Sequence, residues 1–593
     1  MANSRGPTFC WWIALLIPCA LQGVEIGRRG IDPDEFEHLH AAFMVWQGAV
    51  PYRDFFEHHG PLLYYALQPL FQLFGPELTV LWCARLAIWC CALGLLCATA
   101  RLATRWSGGA AGLPAATLLA WTSVFHTKGI ELRPDVPAAL LVMGVALVAV
   151  GSWDRNSRIA GRFRWMQWLA AGVLAGLATL LTQKSIVPIA GVALAAALGE
   201  LLGGHWRRAG GLLLMMLLGG GGAWGVATGL FAWNGSAADF WHGAVVQLLH
   251  WPVRSERWEH LRSTLAADFT VWIAAGLAVL EWLRCGLSRE NWGLGRGLLP
   301  FAGLFCVGSL GWVQATYPQF YLLWMPLLVV LAVDSLSRLA LRPVPRLVAG
   351  SLAIGLLAGQ TLLVWRAARL GPAGALPHLF ESTGSFAILW PCVLIPIGLA
   401  SLWFLWRSSG ELALWTPTGG LRLSRKHIGG SAGASPSRSE VPFHHASSAA
   451  PQIARRGGGA AAVWLCAALG MGYAAWRQMD AACWSNAPQV ARVEELHLKV
   501  TLDQTVLDGF TGYGALRRHA YYYWWINEYS SALMSPEELG SGLLRQLRAT
   551  PPAAVLFDDN LRRLPEEVTQ WIGTHYQPGV LPPLHFRIDD GTL

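Results

Sequence analysis

Apolar runs long enough to cross a bilayer as helix, roughly 20 residues each, recur along most of the chain and are separated by short polar tracts. About thirteen such runs begin near residues 9, 77, 108, 135, 167, 186, 210, 269, 297, 319, 347, 385 and 459. The segment Leu62–Phe74 is apolar but short, which predicts a re-entrant or interfacial helix. Two stretches break the pattern. Residues 407–458 are rich in Gly, Ser, Ala and Arg, cannot bury a core, and are predicted to be a disordered cytoplasmic linker. Residues 478–593 are polar and well mixed; there Ala553–Phe557 reads as a buried strand and Pro565–His575 as a helix. The predicted fold is therefore mainly α: a polytopic transmembrane helical module over 1–406, the linker over 407–458, a last transmembrane helix over 459–477, and a small α/β domain over 478–593.

Charge sharpens this reading. Only 13% of the 593 residues are charged, against about 25% in soluble domains. The net charge of +8 does not point to nucleic acid, because the basic residues sit in short tracts between apolar runs, as loops held against membrane lipids do. With the N-terminus in the cytoplasm and the spans alternating, the inner loops collect Arg101, Arg105, Arg155, Arg158, Arg207, Arg208, Arg284, Arg289, Arg338 and Arg342. The outer loops then hold Asp32, Asp34, Glu35, Glu37, Asp54, Glu57, Glu131 and Asp135. This satisfies the positive-inside rule and places the C-terminal domain outside. Arg85 falls within a span, where an isolated charge is costly, and is expected to pair with an acid. The 11 cysteines show no paired metal spacing and mostly sit in apolar segments, as small core residues do.

The densest polar region is the first outer loop, Asp32-Pro33-Asp34-Glu35-Phe36-Glu37-His38, followed by Tyr52-Arg53-Asp54-Phe55-Phe56-Glu57-His58-His59-Gly60-Pro61. A helix starting near Pro33 puts Asp34, Glu37 and His38 on one face. Carboxylates at a membrane surface suit general-base work, because partial desolvation raises their basicity. The next outer loops, Lys128–Asp135, Thr182–Ser185 and Gln314–Phe320, add Lys128, Arg133 and Lys184 as cations able to meet a lipid phosphate, and Asp135 as a further acid. His38, His40, His58 and His59 share the first loop and have the residue types of a zinc site, without a diagnostic spacing; no metal or other cofactor is assigned, and a divalent ion stays open. The tract His519–Trp525 fits packing or an interfacial belt better than sugar stacking.

Taken in order, these motifs resemble those of the GT-C glycosyltransferases: Asp-Glu opening the first outer loop, an aromatic-Glu-x-x-Gly-Pro-Leu-x-Tyr segment (Phe56–Tyr64), Arg133-Pro134-Asp135, and Tyr317-Pro318-Gln319 before a late span. The match covers about residues 9–340 and is nearest to bacterial protein mannosyltransferases and the aminoarabinose transferases of lipid A. The resemblance implies a GT-C fold, a polyprenyl-phosphate sugar donor, an active site on the extracytoplasmic face of the bacterial inner membrane, and inverting attack helped by an acidic base. By motif that base falls on Asp34, with Glu35 beside it and Asp135 as the second acid. The donor phosphate falls to His59, Lys184, Arg133 and Lys128. Glu37, His38, Glu57, His58, Tyr317 and Gln319 are the remaining substrate-binding candidates. Members of the resembled family often carry Lys before Pro-Pro-Leu, whereas this chain has His59-Gly60-Pro61-Leu62. The acceptor, whether lipid, glycan or protein, and the sugar are not legible. A lipid-linked glycan flippase or transporter and a glycan polymerase are the alternative functions.

Overall fold

The computed structural model describes residues 5–152, 164–249, 257–287, 297–313, 316–341 and 485–588. Arg5–Ser335 and Ala474–Leu593 form one compact unit, which carries every feature below except the end of the helix Met325–Leu341. A second unit, Met1–Ser4 with Leu336–Tyr473, falls almost wholly outside the described residues. The expected linker, the last span and the runs near 347 and 385 lie there too, or in the stretch just after it.

The chain opens with α1 (Arg5–Glu25) and α2 (Pro33–Trp46). Helix α2 begins where the chemistry of its first residues demands. Asp32 is the N-cap and accepts from the Asp34 N–H, Pro33 occupies the first turn, and the Glu35 side chain reaches back to the Asp32 N–H to complete a capping box. The short apolar segment after the first loop folds as two brief helices, α3 (Leu62–Ala66) and α4 (Gln68–Phe74), so it is helical but not one continuous rod. Helix α5 (Thr79–Ser107) runs 29 residues and stops at Gly108, whose φ of +103° suits glycine. Then come α6 (Gly112–Ala120), α7 (Ser123–Lys128), α8 (Asp135–Gly151), α9 (Arg164–Leu181), α10 (Ile186–Leu202) and α11 (Trp206–Trp233). Helices α9 and α11 meet backbone to backbone: a Cβ on Gly172 would stand 2.3 Å from the Met216 carbonyl oxygen, and one on Gly219 2.3 Å from that of Leu169. Close approach through small residues is how helices associate where no hydrophobic force drives them together.

Short helices α12 (Ala237–Trp241) and α13 (Gln247–Leu249) precede α14 (Arg257–Ala267), α15 (Phe269–Leu287), α16 (Leu298–Ser309), α17 (Pro318–Leu322) and α18 (Met325–Leu341). Among the described residues three helices are long and apolar enough to cross a membrane, Thr79–Ser107, Gln183–Leu202 and Trp206–Trp233, or up to four if a bent pair is one span. Large apolar side chains such as Leu217 and Trp233 on α11 are fully displayed on the surface, as expected of a face that meets lipid.

Residues 485–588 build a five-stranded sheet in the order β2-β1-β3-β5-β4, with β1 (Thr505–Asp508), β2 (Arg518–His519), β3 (Ala554–Leu556), β4 (Tyr576–Pro578) and β5 (Leu584–Arg587). Strand β1 pairs in parallel with β2 and β3, and β5 runs antiparallel to β3 and β4. The central strand lies where an unbroken apolar run requires burial on both faces. One face packs Val555 on Leu543, Leu547, Val568 and Ile572; the other packs Ala554 and Leu556 on Leu496 and Val500. Helices α19 (Ala487–Lys499), α20 (Glu528–Leu533), α21 (Leu543–Ala549) and α22 (Glu566–His575) complete the domain.

This domain is stitched to the first loop. The Gln489 side chain bonds both backbone groups of Ile31, at 2.7 and 2.8 Å, and Asn486 donates to the carbonyls of Gly27 and Arg28. His40 of α2 stacks on Trp524 at 4.1 Å and meets His519 Nδ1 through its Nε2 at 2.9 Å. Tyr522 donates to the Tyr52 carbonyl.

Candidate active site

The first loop, the loop 128–135, the turn 183–185, the start of α17 and the edge of the C-terminal domain enclose a cavity of about 470 Å³. Its lining includes Asp32, Asp34, Glu37, Glu57, His58, His59, Lys128, Arg133, Lys184, Tyr317 and Gln319.

The acidic wall is held by a buried frame. Glu35 is fully buried and takes a two-pronged bond from Arg85, Nε to Oε1 at 2.8 Å and Nη2 to Oε2 at 2.6 Å. Arg85 spends its other donors on the carbonyls of Ile26, Arg29 and Gly30, and the Leu132 N–H adds a bond to Glu35. The charge inside α5 thus has the acidic partner its position requires. That partner is Glu35, which leaves this residue inside an ion pair and out of the cavity lining. A helix turns about 100° per residue, so Asp34, its neighbour, faces the cavity instead.

Arg133 organises the next layer. Its guanidinium meets Asp34 at 2.6 Å, Asp32 at 2.7 Å and Glu131 at 2.7 Å. Lys128 bridges Asp32 at 3.2 Å and Glu131 at 2.8 Å, and Arg29 closes on Glu131 at 3.0 Å. Burial alone would raise the Asp32 carboxyl, but Arg133 and Lys128 outweigh it and hold this acid well below the usual range. Asp135, the first residue of α8, is buried and outside the lining. Lys184 is different: among the described residues it makes no ion pair, and its ammonium sits 5.7 Å from the centre of the Tyr317 ring. The Tyr317 hydroxyl in turn contacts that of Tyr529 at 2.9 Å.

The loop carrying Glu57, His58 and His59 is held in an unusual path. Tyr52 has φ +70°, a left-handed conformation rare outside glycine, and its hydroxyl donates to the His59 carbonyl. Gly60 lies so close to α9 that a Cβ would stand 2.0 Å from the Leu180 carbonyl oxygen. Glu57 Oε1 accepts from the His58 and His59 N–H groups at 2.8 and 2.9 Å and meets His59 Nδ1 at 3.1 Å. Burial opposes ionisation of Glu57, but the bond and charge of His59 prevail and bring its pKa to about 2. Glu37 goes the other way: burial, then the charges of Glu57 and Asp34, push it well above the ordinary carboxylate value. His38 is buried against the His59 and Tyr64 rings and does not line the cavity.

Sequence reasoning missed the opposite wall. Phe510, Trp524, Trp525, Asn527, Glu528, Tyr529 and Ser530 of the C-terminal domain line the same cavity. The aromatic tract was the available signal, read as packing or an interfacial belt ahead of sugar stacking, and the structure places Trp524 and Trp525 at the cavity. They do pack, on His40 and on each other, but they also face the site.

No protein-family model matches the chain, and no curated protein matches it in sequence. Solved structures do. The apo crystal structure of ArnT from Cupriavidus metallidurans aligns over 98% of this chain and 97% of its own, with a TM-score of 0.63 at 13% identity. The fold is that of ArnT. The ArnT structure bound to undecaprenyl phosphate aligns over 93% of this chain and 89% of its own, with a TM-score of 0.59 at 15% identity. An oligosaccharyltransferase from Archaeoglobus fulgidus reaches 0.48 at 12% identity over 94% of this chain and 70% of its own, too low to argue from. The resemblance to GT-C glycosyltransferases read from the motifs therefore holds for the fold. ArnT spans nearly the whole chain, so the shared fold takes in the C-terminal domain as well as the helices.

Proposed function

We propose that the protein is a glycosyltransferase that moves a sugar from a polyprenyl-phosphate donor to an acceptor at the extracytoplasmic face of the bacterial inner membrane. One observation carries the reading: Lys184, without an ion pair among the described residues, lines the same cavity as Asp34. A free cation suits a phosphate that leaves with negative charge, and a carboxylate facing it suits the acceptor's proton. The ArnT fold, seen in that protein with undecaprenyl phosphate, supports the donor class.

In the reaction, an acceptor hydroxyl or amine attacks the anomeric carbon from the face opposite the phosphate. The bond from that carbon to the phosphate oxygen breaks, its electron pair leaves on the polyprenyl phosphate, and the acceptor's proton passes to Asp34. Configuration at the anomeric carbon inverts. Arg133 positions Asp34, Glu35 positions the helix through Arg85, and Asp135 supplies a second acid behind Arg133. Trp524 and Trp525 give an apolar wall against which a sugar ring stacks.

The test is mass spectrometry of envelope lipids and glycans from a deletion strain complemented with wild type or Asp34→Asn. Loss of one sugar from one species, restored by wild type alone, is expected. Full restoration by Asp34→Asn at normal protein level would remove Asp34 from the reaction. Altered distribution of a lipid-linked sugar with no glycosidic bond lost would point to a flippase instead.

A further inference from the structure

Among the described residues, the cavity has a single cation free to meet an anion. Arg133 is shared among Asp34, Asp32 and Glu131, and Lys128 between Asp32 and Glu131. The imidazoles add none that is free: burial holds His40 and His58 well below the ordinary histidine range, and His59 is bonded to Glu57. Only Lys184 remains. The wall opposite is built differently. The described residues that the C-terminal domain gives to the cavity include no Lys, Arg or His, and the one charged member, Glu528, is an acid. This wall offers N–H donors instead. Trp525 is only 8% exposed, yet its Nε1–H has no hydrogen-bond partner. Its ring is fixed: Phe510 meets it edge-on at 4.5 Å, Trp524 stacks on it at 4.4 Å, and the Ser530 hydroxyl donates to its carbonyl at 2.6 Å. The Asn527 side-chain oxygen caps α20, accepting from the Tyr529 and Ser530 N–H groups at 3.0 Å each, so its amide nitrogen is the group left to bond a ligand. A buried donor without an acceptor is costly and calls for an oxygen from outside the protein.

We propose that the acceptor is an uncharged carbohydrate, one hydroxyl of which attacks the anomeric carbon while its other oxygens accept from Trp525 and Asn527. This rests on the glycosyl transfer proposed above, in which the donor phosphate occupies Lys184. A phosphorylated or carboxylated acceptor would bring a second negative charge beside Asp34 and Glu57 with no counter-charge, and burying an unpaired anion is strongly unfavourable. An amine would arrive protonated, and a carboxylate is too weak a base to strip an ammonium. A hydroxyl meets neither obstacle. It is neutral on arrival and passes its proton to Asp34 as its oxygen bonds to the anomeric carbon. The bond from that carbon to the phosphate oxygen breaks, and the electron pair leaves on the polyprenyl phosphate. A peptide acceptor would need a place for its backbone. The edge strand that reaches α2 is β2, which is two residues long, and its His519 is bonded to His40. Aromatic rings interleaved with N–H donors suit a sugar, whose faces are apolar and whose rim is oxygen.

The test adds full-length protein, purified in detergent, to membranes and envelope material from a deletion strain, which hold the donor and the unmodified acceptor. Mass spectrometry with linkage analysis then locates the sugar gained. One sugar gained by a neutral glycan is expected, in a bond to a carbohydrate hydroxyl that survives the mild acid that cleaves sugar–phosphate bonds. Gain on a phosphate, an amine or a peptide side chain overturns the acceptor class and leaves the transferase standing. No gain on any species removes the transferase reading, and the acceptor class with it. Trp525→Phe keeps an aromatic ring and removes the N–H. It is expected to raise the glycan concentration needed for half-maximal transfer about 5–10-fold, the worth of one neutral hydrogen bond, with the maximal rate and melting temperature near wild type. An unchanged concentration dependence overturns recognition of the glycan by this wall.

Discussion

Replacing Arg85 with leucine strands Glu35. In the native protein this carboxylate is fully buried and shares two short bonds with the guanidinium. Removing one partner of a buried pair typically costs about 3–5 kcal/mol, because the remaining charge has neither water nor a counter-ion. Arg85 also donates to the carbonyls of Ile26, Arg29 and Gly30, and each lost bond adds roughly 1 kcal/mol. The double change Arg85→Leu/Glu35→Leu removes both charges and is expected to be far less harmful than the two single costs combined. We expect a coupling of at least about 2 kcal/mol between the positions. Reversible unfolding in mixed micelles of mild detergent and dodecyl sulfate, run on wild type, both singles and the double, measures it. Additive single costs, within about 0.5 kcal/mol, would refute the view that this pair anchors the loop. Transfer should fall in Arg85→Leu, since Asp34 immediately precedes Glu35, the partner of Arg85, on α2.

Other expectations follow from the same geometry. Lys184→Met should lower transfer by about 10²–10³-fold, as loss of one preorganised contact to a developing charge does, with little change in melting temperature; a mild effect would move the phosphate elsewhere. Gly60→Ala should destabilise the loop and abolish transfer, because its Cβ meets the Leu180 carbonyl, and wild-type melting would show that the contact is not rigid. Trp525→Ala should raise the apparent KM for a substrate more than it lowers kcat; the reverse pattern would deny it a binding role. Burial lowers the His519 pKa from 6.5 to about 4, so the unfolded chain takes up the proton first as pH falls. Stability from this group is complete above pH 6.5 and is lost between 6.5 and about 4, by at most about 3 kcal/mol. Unfolding measured at pH 7.5 and 4.5 should show the fall, and His519→Gln should reduce it.

Much of this arrangement was legible in the chain. Pro33 marked the start of α2, and the apolar run Ala553–Phe557 marked the central strand. Arg85 announced a buried acid, because hydrocarbon leaves a charge no other choice. Which acid it was could not be read. Asp34 and Glu35 are adjacent, and only the rotation of α2 against α5 decides which faces Arg85 and which faces the cavity. The aromatic wall was hidden for another reason. Trp524 and Trp525 lie hundreds of residues beyond the first loop, and no local period reports a contact that tertiary packing creates.

The bonds from Gln489 to Ile31 and from His519 to His40 join the last part of the chain to the first. During synthesis the acidic loop emerges early and the wall opposite it emerges hundreds of residues later. The cavity is therefore not enclosed until residues 510–530 have been made and have folded back onto the first loop. A ribosome-stalled or truncated chain would present the acids and cations without an enclosing wall, open to water. Enclosure of the cavity thus waits on residues 510–530, far along the chain from the acids they face.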